Sequence, residues 1–441
     1  MAGHLNGVQK LICDELPKSI FIHCSNHSLD LVLQELARQC DMFGDTLVLI
    51  KDVSKAILES GKRKAMYANI VIEPCFSDDE TSVGGPAAIR PLLSLCPTRC
   101  PTRWCIRAPA IRRFDENYGR VRATLRLLVE DTSLRLTDER RATLRGHLRK
   151  LDQFSTVLSI KLALLICEPA EQLARALQST GYTATGAKQA AQALWDTYNA
   201  MGEEEFDQAW RETEARNATC NMDLEMPTAP RRRAPPRRLG EVGNAAPVES
   251  LSPRTVLRQK FIAVLDRVKN ELDRRFNQPG MAHLIKLENV LLQKKPLDSV
   301  DDLKHELGVH ADDFDCDLLF TQLKIAKLVV PGTVKTVREY AAVLRDLPQV
   351  SREMINQVEL LVILLLVVPA TSATCERSFS ALRRIKNYLR ATMTQKRLTH
   401  LMMCHVHKIR TFTVSVTDVL NEFISRTNER LRVFGPPTPN P

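Results

Sequence analysis

A chain of 441 residues, 44% of them hydrophobic, has room for two or three domains and is too apolar to be disordered throughout. Its 62 lysines and arginines exceed 52 aspartates and glutamates, and the formal charge of +10 suits a polyanionic partner such as nucleic acid without specifying one. The opening stretch "MAGHLNGVQKLICDELPKS" contains no continuous apolar run, so the 12 scattered cysteines read as reduced thiols of a cytosolic or nuclear protein. The longest apolar run, "LLVILLLVV" at 360–368, falls far below the roughly 20 residues a membrane span needs.

In chain order, "SIFIHC" at 19–24 is short, apolar and β-prone, and predicts a strand. It feeds a helix in which Leu29, Leu33 and Leu36 share a face. A second helix is expected from Leu47 to Ala68, followed by the loop composition of "EPCFSDDETSVGGPAAIRP". There Asp78, Asp79 and Glu80 read as a solvated acidic loop in preference to a cation site. From Trp104 to Trp210 the pattern is helical, clearest in "AIRRFDENYGRVRATLRLLVE" and "TVLSIKLALLICEPAEQLARALQ".

Residues 221–253 are rich in proline, glycine and small side chains and read as a linker. Its arginines Arg231, Arg232, Arg233, Arg237 and Arg238 form the sharpest basic cluster of the chain. That cluster reads equally as a nuclear-import or phosphate-binding arm and as a solubilising linker. Beyond it, Leu257, Phe261, Leu265, Val268, Leu272 and Phe276 line one face of a long amphipathic helix. Further helices are expected at about 298–306, 315–328 and 334–346, and the run at 360–368 reads as a buried helix.

Cys24 and His27 form a Cys-x-x-His pair, half of a zinc site with no second pair at finger spacing, so a buried thiol and a hydrogen-bonded histidine are the favoured reading. Cys96, Cys100 and Cys105 match no common zinc knuckle, and Trp104 reads as a core anchor. In "PATSATCERSFSALRRIKNYLR", Thr371, Ser372 and Thr374 suit a helix start, with Glu376 in the first turn, where a carboxylate meets the positive end of the helix dipole. Phe379, Leu382, Ile385 and Leu389 then share a face from which Arg383 and Arg384 are excluded. A second helix from about Thr394 carries Leu398, Leu401, Met402, Val406 and Ile409, and the pair makes a packing or dimer surface. His400, Cys404 and His407 on that helix read as half-exposed polar residues rather than metal ligands.

The stretch "PATSATCERSFSALRRIKNYLRATMTQKRLTHLMM" closely resembles the carboxy-terminal dimerisation region of hAT-superfamily DNA transposases and of host proteins derived from them, including the zinc-finger MYM-type 1-like group. "MAGHLNGVQKLI", "FIHCSNHSLDLVL" and "LCPTRW" resemble, in the same order, blocks that follow the second catalytic aspartate of that family. The resemblance is most specific at 1–36, 95–107 and 355–408.

It implies a ribonuclease-H-like mixed sheet whose two aspartates and one glutamate hold two Mg²⁺ ions for phosphodiester chemistry, with a large helical insertion before the glutamate. By motif, Glu376 is that glutamate, Cys24 and His27 are the family's Cys-x-x-His pair, and Arg103 and Trp104 belong to its "TRW" block. The motif order places both aspartates ahead of Met1, and neither Asp14, before the expected strand, nor Asp30, within the following helix, replaces them.

The expected fold is therefore mainly α with a small α/β part, a partial ribonuclease-H-like core interrupted by a helical insertion. The expected segments are 1–107 (the partial core), 108–220 and 254–350 (the insertion), 221–253 (the linker), 351–412 (the dimerisation region) and 413–441 (a helix and Pro-rich tail). The expected function is association without catalysis: Glu376 a relic, no cofactor, a homodimer or a related hAT-derived partner, a nuclear location, and non-specific DNA contact through Arg231–Arg233, Arg237, Arg238, Arg383 and Arg384. The alternative is a fragment of an active Mg²⁺-dependent transposase with its aspartates in an upstream segment.

Overall fold

Long apolar faces at helical spacing need partners, and in the first of two compact units, Met1–Thr371, most of them meet around one central helix. The computed structural model describes residues 7–70, 92, 107–131, 136–178, 183–219, 222–228, 251–368, 373–386 and 392–436, the side chains of 373–377 excepted. The unit begins with α1 (Val8–Glu15), α2 (Ser25–Gln39), α3 (Asp41–Leu58) and α4 (Gly61–Asn69). It continues with α5 (Arg107–Glu116), α6 (Tyr118–Glu130), α7 (Asp138–Leu151) and α8 (Phe154–Leu177). Then come α9 (Ala184–Ala200), α10 (Glu203–Thr219) and α11 (Pro253–Phe276).

The centre is α8, buried on nearly every side, with Phe154, Val157, Leu158, Ile160 and Leu177 all fully enclosed. It packs against α2, α3, α5, α7, α9, α10 and α11. The six residues that define the apolar face of α11 are all buried, against α2 and α9. The start of α11 follows from its sequence: the Ser252 hydroxyl accepts from the Thr255 amide at 3.1 Å, and Pro253 occupies the first turn, where its missing N–H costs nothing.

A second core in the same unit is built by α12 (Pro279–Leu291), α13 (Val300–Leu307), α14 (Cys316–Val329), α15 (Val337–Asp346), α16 (Gln349–Glu353) and α17 (Asn356–Val367). Two capping boxes, Ser299 with Asp302 and Thr336 with Glu339, fix the starts of α13 and α15. The Glu288 carboxylate on α12, 4% exposed, accepts from the amides of Ala184 and Thr185 at 2.8 and 3.0 Å and from the Thr185 hydroxyl at 2.6 Å. It satisfies amides at the start of α9 that have no partner within their own helix, and so ties α12 to α9.

The helical expectations hold closely for α11, α13, α14 and α15. The helix expected at 47–68 is two: α3 starts earlier, at Asp41, and Ser60, with φ −120° and ψ 130°, breaks the chain before α4. The strand expected at 19–24 does not form. The segment is half-buried and irregular, and it crosses the first turn of α12, where a Cβ added to Gly280 would stand 2.4 Å from the Phe21 carbonyl oxygen. An apolar segment needs a surface to cover, and a helix bearing glycine supplies one without strand pairing. Among the described residues there is no sheet, only an isolated parallel bridge between Gln153 and Glu225, so the ribonuclease-H-like part of the expectation has no counterpart there.

The stretch read as a linker begins inside the core. Met222 and Leu224 are buried, the Phe154 amide donates to the Glu225 carbonyl at 3.0 Å, and the Glu225 amide donates to the Asp152 carbonyl at 2.7 Å. Arg122 bonds the Asp152 carboxylate and donates to the Met222 carbonyl at 3.0 Å, closing the clamp. Residues 229–250, with the arginine cluster, lie outside the described residues. No helix among the described residues is long and apolar enough to cross a membrane.

Candidate association surface

The run at 360–368 is helical, but it is only half buried, contrary to the sequence expectation. On α17, Val358, Leu361, Val362 and Leu365 enter the second core, while Leu360, Ile363, Leu366 and Val367 are exposed. The reason is geometric: α17 meets α12, α14 and α15 on one side, and a helix that is apolar all round buries only the faces that have neighbours.

The second compact unit, Ser372–Pro441, holds α18 (Ala373–Ile385), α19 (Gln395–Val406), α20 (Lys408–Phe412), α21 (Val416–Ser425) and α22 (Asn428–Phe434). Helices α18 and α19 pack together, with Ala381 and Leu398 buried. The Thr394 hydroxyl caps α19, and the chain breaks at His407 (φ −101°, ψ 44°), so Ile409 sits on the separate short helix α20. Helices α21 and α22 are joined by an edge-on contact of Phe423 with Phe434, ring centroids 6.0 Å apart. The Arg430 guanidinium lies 4.0 Å from the Phe423 ring centroid.

These few contacts leave most of the unit's apolar side chains uncovered. Phe379 is 68% exposed, Ile409 84%, Phe412 85% and Val416 82%, and Met403, Val406, Val419 and Leu420 are also exposed. Scattered exposed apolar residues are ordinary, but this many large ones in a small unit mark an interaction surface.

The residues singled out from sequence separate into groups. Phe379 lies outward, Leu382, Ile385, Leu401 and Met402 are half-buried, and Leu398 belongs to the internal seam. Arg383 and Arg384 are exposed on α18. Glu376 falls within the first turns of α18, its side chain outside the description. Leu389, Arg103, Trp104, Cys96, Cys100, Cys105, Asp78, Asp79 and Glu80 lie outside the described residues. Cys24 is half-buried just before α2 and His27 is exposed, its ring 6.4 Å from that of His23. His400, Cys404 and His407 are exposed, and no group of three His, Cys, Asp or Glu among the described residues could hold a metal ion.

Phe412 and Val416 escaped the sequence reading because the segment was divided at 412. Phe412, Val416, Val419 and Phe423 do recur at helical spacing, and that was the signal available.

Residues 354–408 match the family model described as the hAT family C-terminal dimerisation region. No curated protein matches the chain. No solved structure matches it. The matched stretch includes α17, α18 and α19, three of the helices on which apolar side chains are exposed. It supports a relation to hAT transposases through this part of the chain, and self-association as that part's role.

Proposed function

We propose that this is a hAT transposase-derived protein that works by associating with a second copy of itself through its carboxy-terminal helices. The observation that carries the reading is the coincidence of a dimerisation-region match with exposed large apolar side chains, Phe379 and Met403 within it and Ile409 and Phe412 directly after it. A surface of this kind gains stability by burying its apolar area against a copy of itself, at about 25 cal/mol per Å² removed from water before association costs.

In this reading the chain acts by association rather than strand transfer, Glu376 serves as a helix residue, and a related hAT-derived chain is the natural alternative partner. DNA contact is sequence-indifferent and salt-sensitive, through Arg231–Arg233, Arg237, Arg238, Arg383 and Arg384, and the place of action is the nucleus.

Sedimentation of the full chain across a concentration series tests the association: a reversible monomer–dimer equilibrium supports it, and a monomer at all concentrations refutes it. Incubation with duplex DNA and Mg²⁺ tests the rest. No cleavage is expected, whereas Mg²⁺-dependent cleavage abolished by Glu376→Gln would replace this reading with that of a nuclease.

A further inference from the structure

Between α4 and α6, far along the chain from the association region, three hydrogen-bonding groups are enclosed without partners. Arg63 is 8% exposed and its Nη1 makes no hydrogen bond; Tyr67, one helical turn on, is 3% exposed and its hydroxyl makes none; and the Nε of Arg120, on α6, makes none. The Arg120 guanidinium lies 5.7 Å from the Tyr67 ring centroid, so the three groups form one continuous cluster across the packed α4 and α6. The nearby carboxylate does not neutralise them: Glu59 is engaged by Arg140 at 3.3 Å and by Lys55 at 3.6 Å. Among the described residues neither Arg63 nor Arg120 has an ion-pair partner.

A buried guanidinium that faces no carboxylate is among the costliest arrangements a protein can hold, and structures keep one where an anion completes it. We propose that Arg63, Tyr67 and Arg120 form a binding site for a small phosphate-class oxyanion. The donors belong to three groups on two helices and not to one planar fork, which suits a tetrahedral ion with acceptors on all sides better than a carboxylate. Arg120 is half-buried and gives the ion its way in, while enclosure of the Arg63 and Tyr67 atoms keeps a DNA backbone from lying against them. The electrostatics agree: burial and then Arg140 push the Arg63 pKa down, with Glu59 only partly opposing. Burial likewise raises that of Tyr67, with Arg120 opposing.

The test is titration of the full chain with inorganic phosphate at constant ionic strength, read by calorimetry and by thermal midpoint. Phosphate is expected to bind saturably and raise the midpoint. Arg63→Met is expected to fold, to be no less stable in phosphate-free buffer because an unpaired buried charge has gone, and to bind phosphate at least about tenfold more weakly. Arg120→Met, at the half-exposed position, is expected to weaken binding similarly and supplies the result if Arg63→Met does not fold. The proposal is overturned if wild type shows no saturable phosphate response, if both variants bind as wild type does, or if acetate binds as tightly as phosphate.

Discussion

Helix α11 and the pair α18–α19 carry the same kind of message, large apolar residues at helical spacing, and end in opposite situations. The marked residues of α11 are all buried against α2 and α9, whereas Phe379 on α18 is 68% exposed and Leu398, on α19, is the one marked residue of that pair to be fully enclosed. Periodicity fixes which side of a helix is apolar and says nothing about what covers it. In the first unit the cover comes from the same chain. In the second, much of the apolar surface has no cover within the unit, and the matched dimerisation region gives the reason.

Substitutions on the two sides of this comparison separate it most sharply. Phe261→Ala, in the fully buried face of α11, is expected to cost about 3–5 kcal/mol in denaturant unfolding, the transfer and cavity cost of a core phenylalanine. Phe412→Ala, at 85% exposure, is expected to change monomer stability by no more than about 0.5 kcal/mol. Comparable losses at the two positions would break the comparison. Association should show the reverse order: Phe412→Asp is expected to weaken the dimer by about 2 kcal/mol or more, near thirtyfold, in a dilution series, and Phe261→Ala to leave the dimer constant of the folded chain unchanged.

A smaller effect is expected where α12 meets α9. Glu288→Ala strands two amides and a hydroxyl at the start of α9 and is expected to lower unfolding stability by about 1–3 kcal/mol, with hydrogen exchange rising first in Ala184–Ala200. No change in exchange there would show that the second core holds α9 by apolar contact alone.

The smallest effect concerns acid. Burial, then the neighbouring His310 and Lys286, lower the His283 pKa, and its ring lies 5.4 Å from that of His310. His310 in turn bonds Asp313 at 3.0 Å, and Asp313 pairs with Lys18 at 2.7 Å. With the folded pKa below the unfolded one, the unfolded chain takes up the proton first, so the contribution of His283 is present above about pH 6.5 and is lost as the pH falls through its folded pKa. His283→Gln should make the decline in stability between pH 7 and 5 shallower. An unchanged slope would assign the acid sensitivity to other groups.

The legible part of this molecule was local. The faces of α11 and α14 could be read because their apolar spacing is regular and their starts carry Ser252 and Asp315. The 19–24 segment could not, because β-propensity records a fit to a half-buried extended surface, and Gly280 of α12, distant in sequence, provides that surface without a sheet. The burial of Met222 and Leu224 was hidden for the same reason: composition marks a linker, while the clamp that holds it comes from Arg122 and Asp152. The Arg63–Tyr67–Arg120 cluster left no trace in the sequence, since a lysine- and arginine-rich stretch such as "GKRKAMYAN" normally faces solvent. Of the association surface, Phe379 was visible, and Phe412 and Val416 became visible only once the break at His407 set the short α20 apart.

The central claim is tested most directly by sedimentation velocity over a concentration series, comparing the wild-type chain with a Phe379→Asp, Phe412→Asp double variant whose helical content is verified by circular dichroism. A reversible dimer for the wild type and a folded monomer for the variant is the predicted result. Two folded monomers, or two dimers of equal strength, would contradict the claim that this chain associates through its carboxy-terminal helices.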